Sequence, residues 1–259
     1  MIYLRAFIEE LRIGFEESWN YRMNFISELI TMLILYVSLL FMNSGSSLSS
    51  LYSGGESGSK ELLLAGYMLW SFSIMAINTM SDTISCEATS GTLEHKYMSI
   101  VPLGVLNLAI FIQSFITESL IVAVILIISK IIFNISISFN IISIVIILLT
   151  LMGMYGIGLI LGGIALKEKK IGRIVFILQI LFLFVSDTIT SISNTIKISK
   201  FIPLTLGNDL LREAITYGSI NSNKFYTLIL ISLIWITLGI IVFKIFEKKV
   251  KKDGSLGYY

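Results

Sequence analysis

The chain is poor in the residues that build most metal and catalytic sites. Its 259 residues include one cysteine, Cys86, and one histidine, His95. A single cysteine excludes a disulfide framework and any multi-cysteine metal site within the chain. The nearby acids are Glu87 and Glu94, and adjacent helix residues such as Glu94 and His95 point about 100° apart. Because a metal needs three or more converging ligands, we predict no metal site and no catalytic site.

Charged residues are also scarce. They make up 14% of the chain, whereas 55% of its residues are hydrophobic, and the net charge is +2. With a mean hydropathy of +0.88, this composition is typical of an integral membrane protein. The basic residues form short clusters beside apolar runs, and membrane orientation explains such clusters more simply than nucleic acid does. We therefore exclude nucleic acid as a partner.

Six apolar windows are long enough to cross a bilayer, which requires about 20 residues of helix. If the N-terminus lies inside, 13 of the 19 Lys and Arg residues fall in inside segments, as the positive-inside rule requires. The sequence therefore predicts an all-α membrane protein in the cell membrane, with six transmembrane helices between residues 25 and 243 and both termini in the cytoplasm. The predicted spans are 25–42, 61–80, 105–129, 141–166, 174–193 and 225–243.

The segment before the first span, 1–24, has the pattern of an amphipathic helix. Leu4, Phe7, Leu11 and Trp19 belong to a set of apolar residues spaced by three and four, with charged residues opposite. Such a helix can lie along the inner membrane surface, or it can pack on the rest of the protein by its apolar face. The two arrangements are compatible, and the pattern does not choose between them.

Three further segments lie outside the spans. Residues 44–60 are rich in Gly and Ser and are predicted to be an outer spacer without structure of its own. Pro203 begins a predicted amphipathic helix in the outer stretch between spans five and six, at the outer membrane surface, with Leu206, Leu210 and Leu211 on its apolar face. The basic tail, 244–259, is predicted to be solvated and to contact anionic lipid.

The stretch 87–104, EATSGTLEHKYMSIVPLG, is the most polar part of the loop between spans two and three. Gly91 breaks the chain, Thr92 can cap a following helix, and Pro102 can end it. Glu94 in the first turn suits the helix dipole. This pattern predicts a helix of about two turns, with Leu93, Tyr97 and Met98 seated on the membrane domain and Glu94, Lys96 and Ser99 exposed. Since a helix this short is marginal alone, we interpret it as a docking element.

The loop resembles that of a known family. Glu87, then Gly91-Thr92-Leu93-Glu94, then a proline after a short helix between the second and third of six spans is similar to the permease subunits of type-2 ABC (ATP-binding-cassette) exporters. The basic loop KEKKIGR after span four and the outer helix with Pro203, Asp209 and Arg212 extend the resemblance over the whole chain. Two features depart from the family pattern: Ala88 stands where Arg is frequent, and Pro102 lies about two residues further along.

The resemblance implies a role for each part. Residues 92–100 would be the coupling helix, seated in a cleft of a separate ATPase subunit, with Leu93 and Tyr97 as its main contacts. The N-terminal helix would be the connecting helix beside it. The docking residues expected from this resemblance are Glu87, Gly91, Thr92, Leu93, Glu94 and Tyr97.

The chain has no G-x-x-x-x-G-K-[ST] loop to cradle phosphate. We therefore expect no cofactor in this chain, with ATP and Mg bound by a partner ATPase. The resemblance implies export of a drug, peptide, lipid or glycan by a pair of permeases, formed by two copies of this chain or by this chain and a similar one. The alternative is a membrane protein without an ATPase: a channel, an ion-driven carrier or an assembly factor.

Two acids fall inside predicted spans. Glu118 and Asp187 each lie 13 residues from the inner end of their span, or about 20 Å of helix rise, so we expect them at similar depth. Ionisable groups in a membrane usually face a cavity, a partner or the bundle interior. Both are therefore candidates for the translocation path. Hydrogen bonding to Ser or Thr on neighbouring helices, which would only fix packing, is an equally compatible role.

Overall fold

The computed structural model describes residues 2–42, 56–189 and 200–253. Within these ranges the chain forms α-helices and no strands, so the all-α prediction is confirmed. The helices are α1 (Ile2–Asn20), α2 (Arg22–Phe41), α3 (Glu56–Ser90), α4 (Leu93–Tyr97), α5 (Leu103–Phe133), α6 (Ile141–Glu168), α7 (Gly172–Val185), α8 (Pro203–Tyr217) and α9 (Ser222–Asp253).

Five of the described helices, α2, α3, α5, α6 and α9, are long and apolar enough to cross a membrane. The fifth predicted span, 174–193, differs from the structure. Its helix α7 has 14 residues and rises about 21 Å, less than the roughly 30 Å of a bilayer core. The chain leaves the helix after Val185, and Asp187 adopts a left-handed φ of 57°. The predicted spacer at 44–60 lies largely outside the described residues, but its last five residues, 56–60, begin α3, so the prediction that they lack structure is wrong.

Helices α3, α6 and α9 form the centre of the bundle. In α3, 94% of the most apolar 18-residue window is buried, because α6 packs closely along it. A Cβ atom at Gly158 of α6 would lie 2.6 Å from the carbonyl oxygen of Ala76 in α3. Gly156 of α6 likewise faces the backbone of Trp235 in α9. Small residues on α6 thus let three backbones approach one another, as is usual in membrane helix packing.

Helix α8 is inserted into the bundle among α3, α6 and α9. Pro203, its first residue, packs against Gly153 of α6, which lies about 18 Å along the helix axis from Ile141. The indole of Trp235 donates a hydrogen bond to the carbonyl oxygen of Phe201, 2.8 Å away. Most residues of α8 are buried. The prediction of a helix beginning at Pro203 is therefore confirmed, but the predicted surface location is wrong, because both its apolar and its polar side chains are enclosed.

Helix α1 packs on α5 along one edge. The amide nitrogen of Gln113 in α5 donates to the hydroxyl of Ser18, 2.9 Å away, and to the carbonyl of Gly14 at 3.4 Å. Phe7 and Leu11 are partly buried, whereas Leu4 is 66% exposed and Trp19 is 77% exposed. One edge of the amphipathic helix therefore packs on the protein, and the remaining apolar edge is free to meet the membrane surface.

Candidate coupling element and polar cavity

The short helix α4 follows a sharp break in the chain. Gly91 has a φ of 72°, a left-handed conformation that glycine adopts without steric cost, so the predicted break is confirmed. The helix covers Leu93–Tyr97, five residues, and is shorter than the predicted 92–100. Thr92 precedes it, but its side chain makes no capping hydrogen bond. The predicted cap is therefore wrong: the Thr92 hydroxyl lies 3.4 Å from the carbonyl oxygen of Glu87, to which it donates.

Pro102 does not end α4, which stops at Tyr97. It is instead the residue that precedes α5, with φ −58° and ψ 130°. A proline is well placed at such a position, because its ring fixes φ and the missing N–H is not needed before the first turn of a helix. Residues 98–101 form a turn and bends that connect α4 to Pro102.

The apolar face of α4 is turned toward this chain. Leu93 is 2% exposed, and Tyr97 is half-buried against the core. The Nζ atom of Lys251, near the end of α9, lies 4.9 Å from the centre of the Tyr97 ring, and the neighbouring Val250 is 2% exposed. The prediction that Leu93 seats on the membrane domain is confirmed, and the expectation that it fills a partner's cleft is wrong. The described part of the tail, up to Asp253, continues α9 and packs beside α4.

An ion triad holds α4 from the other side. The Nζ atom of Lys96 lies 2.8 Å from a carboxylate oxygen of Glu10 in α1 and 2.5 Å from one of Glu87 in α3. The Lys96 side chain is only 16% exposed, so the prediction that Lys96 is exposed is wrong. Burial disfavours the charged ammonium, but the hydrogen bonds to Glu10 and Glu87 outweigh burial and raise the pKa of Lys96 above its ordinary value.

Four side chains of this loop point away from the bundle. Met98 is 68% exposed and Ile100 is 89% exposed, while Glu94 and His95 are also exposed. The prediction that Met98 packs on the membrane domain is therefore wrong. We call Glu94, His95, Met98 and Ile100 the outward face of the loop. It combines one acid, one imidazole and two large apolar side chains.

A polar cavity of about 250 Å³ lies between α2, α3 and α5. Glu118 of α5 lines it and is 4% exposed, and the Ser71 hydroxyl of α3 donates a hydrogen bond to its carboxylate. Glu28 of α2 and Asp82 of α3 line the same cavity. The structure thus brings Glu118 together with two acids that the sequence analysis did not choose as candidates. One of them, Glu28, is the one charged residue in the first predicted span, 25–42.

Asp187 does not line this cavity. It lies in the turn after α7, and its carbonyl oxygen accepts a hydrogen bond of 2.6 Å from Arg212. Helix α7 ends at Val185, so Asp187 lies in a turn and not within a helical span; its similar depth to Glu118 stays a prediction.

Arg212 of α8 is 1% exposed and donates to the carbonyl oxygens of Leu62, Asp187 and Thr188. It ties α8 to α3 and to the turn after α7. Asp209, on the same helix, pairs with Lys224 of α9 at 2.7 Å, and Glu213 pairs with the same ammonium at 2.6 Å. The polar residues of the predicted outer helix therefore join α8 to its neighbours.

The described chain is an all-helical, multi-pass membrane protein with a short polar helix held at one end of its bundle. The family model for the ABC-2 type transporter matches residues 7–216, which is most of the chain. The chain therefore belongs to the ABC-2 type transporter family, the membrane component of ABC transporters, which generally works with an ATPase partner. No curated protein matches the sequence.

Proposed function

We propose that this chain is the permease subunit of an ABC exporter, which moves an amphipathic substrate out across the cell membrane with energy from a separate ATPase. Two permeases, either two copies of this chain or this chain and a similar one, would form the path. ATP and Mg would be bound by the ATPase subunits. The observation that carries the proposal is the outward face of the loop, in a chain of the ABC-2 family.

The outward face has the composition of a binding hot spot with a polar rim. Met98 and Ile100 expose large apolar side chains, and a soluble partner that covered them would bury that surface. Methionine adapts its shape to a partner, and Glu94 and His95 beside it can form polar contacts. Docking would place the ATPase over the loop rather than around Leu93, which this chain already buries.

The contacts beneath the loop would carry its movement into the membrane domain. Lys96 joins α4 to α1 and α3 through Glu10 and Glu87, and Tyr97 contacts Lys251 of α9. A displacement of α4 driven by closure of the ATPase would therefore move α1, α3 and α9 together. Because α3 is the most buried helix of the centre, its displacement would reach α6 and α9 through the glycine contacts.

The test is co-purification of an ATPase that carries a phosphate-binding loop, and has no membrane spans of its own, with variants of the outward face. We expect the double variant Met98→Ala/Ile100→Ala to bind the ATPase about thirtyfold more weakly, which corresponds to about 2 kcal/mol for a hot spot. Its thermal stability should be unchanged. Met23→Ala is the control, because Met23 is a methionine of similar exposure, 69%, that belongs to α2 and not to the loop.

Two outcomes would contradict the proposal. Full ATPase retention by the Met98→Ala/Ile100→Ala variant would remove the outward face as the docking site. Failure of the unaltered permease to bind any ATPase that carries a phosphate-binding loop would instead favour a channel, an ion-driven carrier or an assembly factor.

A further inference from the structure

The cavity between α2, α3 and α5 carries several acids and no matching base. Glu28, Asp82 and Glu118 line it, and none of the described residues that line it is Lys or Arg. Glu28 is close enough to Asp82 and to Glu118 for electrostatic repulsion. Like charges held near one another cost free energy, and a positive charge placed among them lowers that cost.

Glu118 is the buried member of the set. Among the described residues, Ser71 is the one donor to its carboxylate, and that hydrogen bond occupies one of the two oxygens. The second oxygen accepts no hydrogen bond from a described residue and is not one of the fully enclosed side-chain atoms, so it is reached from the cavity that Glu118 lines. A carboxylate oxygen that opens into a cavity can accept a hydrogen bond from a ligand.

The residues that line the site suit an organic cation better than a small metal ion. In the part of the chain that the structure describes, no three metal-ligating side chains converge. The apolar wall of Met32, Ile74 and Met75 can instead contact the hydrocarbon next to a charged headgroup. A second cavity of about 210 Å³ shares Glu28 and Thr117 with the first and extends the polar groove toward the junction of α1 and α2.

We propose that this groove binds the ammonium or guanidinium group of an amphipathic cation, and that Glu118 is its main anionic partner, with Asp82 and Glu28 nearer the entrance. This inference rests on the proposed function, which it narrows from amphipathic substrates in general to cationic ones. Because α2 packs only lightly on α3, the ligand would enter sideways from the membrane, with its charged group leading along the acids.

The test is equilibrium binding of radiolabelled decyltrimethylammonium to the full-length permease in phosphatidylcholine nanodiscs, without ATPase or nucleotide, after subtraction of uptake by empty discs. Decyl sulfate, with the same chain and the opposite charge, is the matched ligand. We expect saturable binding of the cation and none of the anion. Glu118→Gln keeps the size of the side chain and should weaken cation binding at least about tenfold, which corresponds to about 1.4 kcal/mol.

Asp82→Asn and Glu28→Gln should each weaken binding by a smaller factor. Because these two side chains are exposed in the isolated chain, their substitution should not disturb folding. Their variants therefore test the inference if Glu118→Gln fails to fold. Glu61→Gln, on α3 but away from the cavity, is the charge control and should bind like the unaltered chain. Saturable binding of decyl sulfate with the same affinity, no saturable binding of the cation, or unaltered cation binding by the cavity variants would overturn the inference. Since no ATPase is present, these outcomes are independent of the docking test.

Discussion

Arg212 shows how much one buried side chain organises in this fold. Its guanidinium lies 2.6 Å from the carbonyl oxygen of Asp187, 2.9 Å from that of Thr188 and 3.2 Å from that of Leu62. The planar group presents several N–H donors in fixed directions, and a lysine cannot reproduce that arrangement. Arg212 therefore donates hydrogen bonds to buried carbonyl groups at an irregular turn, where no regular helix pairing is formed.

We expect Arg212→Lys to destabilise the protein by about 2–3 kcal/mol, because the charge is kept while buried carbonyls lose their donors. The measurement is thermal unfolding of the purified permease in detergent. Arg173→Lys is the matched control, since Arg173 is exposed, and it should leave the unfolding temperature unchanged. Equal stability of the two variants would show that the carbonyl contacts of Arg212 do not hold α8 in place.

The short helix α4 depends on contacts with α1, α3 and α9 as well as on its own residues. Alone, five residues of helix would not persist in water. Leu93 anchors α4 by burial, and the triad of Lys96, Glu10 and Glu87 fixes its orientation. The triad joins residues that are 86 and 9 positions apart in sequence, so local pattern gave no sign of it.

We expect Lys96→Met to destabilise the protein by about 1–2 kcal/mol. Removal of one partner of a fully buried pair costs about 3–5 kcal/mol, and partial exposure of the triad reduces this cost. The substitution leaves Glu10 and Glu87 facing each other without a cation. Adding Glu10→Gln and Glu87→Gln should therefore recover part of the lost stability. A triple variant no more stable than Lys96→Met would show that the charges are not coupled.

The same triad predicts a pH response. Because the pKa of Lys96 is raised in the folded protein, its contribution is fully present below the ordinary lysine pKa of about 10.4 and is lost only as the pH rises through the higher folded value. The difference in unfolding temperature between the unaltered chain and Lys96→Met should thus stay constant between about pH 7 and pH 9. A difference that disappears within that range would contradict the assignment.

At the scale of the whole molecule, the orientation in the membrane is predicted from charge. The excess of basic residues in the segments expected to be inside predicts that the loop carrying α4 faces the cytoplasm. Cys86 is exposed, so labelling requires a Cys86→Ser background. In intact cells, an impermeant thiol reagent should label Asn221→Cys and should not label Ser99→Cys. Labelling of Ser99→Cys would reverse the arrangement and remove the loop as a site for a cytoplasmic ATPase.

Much of the fold could be predicted from the sequence, because the long apolar windows leave few alternatives to membrane helices. The break at Gly91 and the burial of Leu93 also followed from local chemistry. The position of α8 could not be predicted, since its amphipathic pattern fits a membrane surface as well as a bundle interior. Glu118 could be selected from the sequence because it is an acid within an apolar span. Its neighbours Glu28 and Asp82 could not be assigned to the same cavity, because they come from other helices.

The sequence by itself determined the class of the protein, its helical content and the location of its polar loop, because composition and periodicity act over short stretches of chain. Only the tertiary structure decided which side of the loop faces outward and which acids share a cavity. It also replaced the expected fifth span by a short helix, a turn at Asp187 and the inserted helix α8. These features depend on contacts between residues far apart in the chain, such as Arg212 with Leu62 and Lys96 with Glu10, which local pattern does not encode.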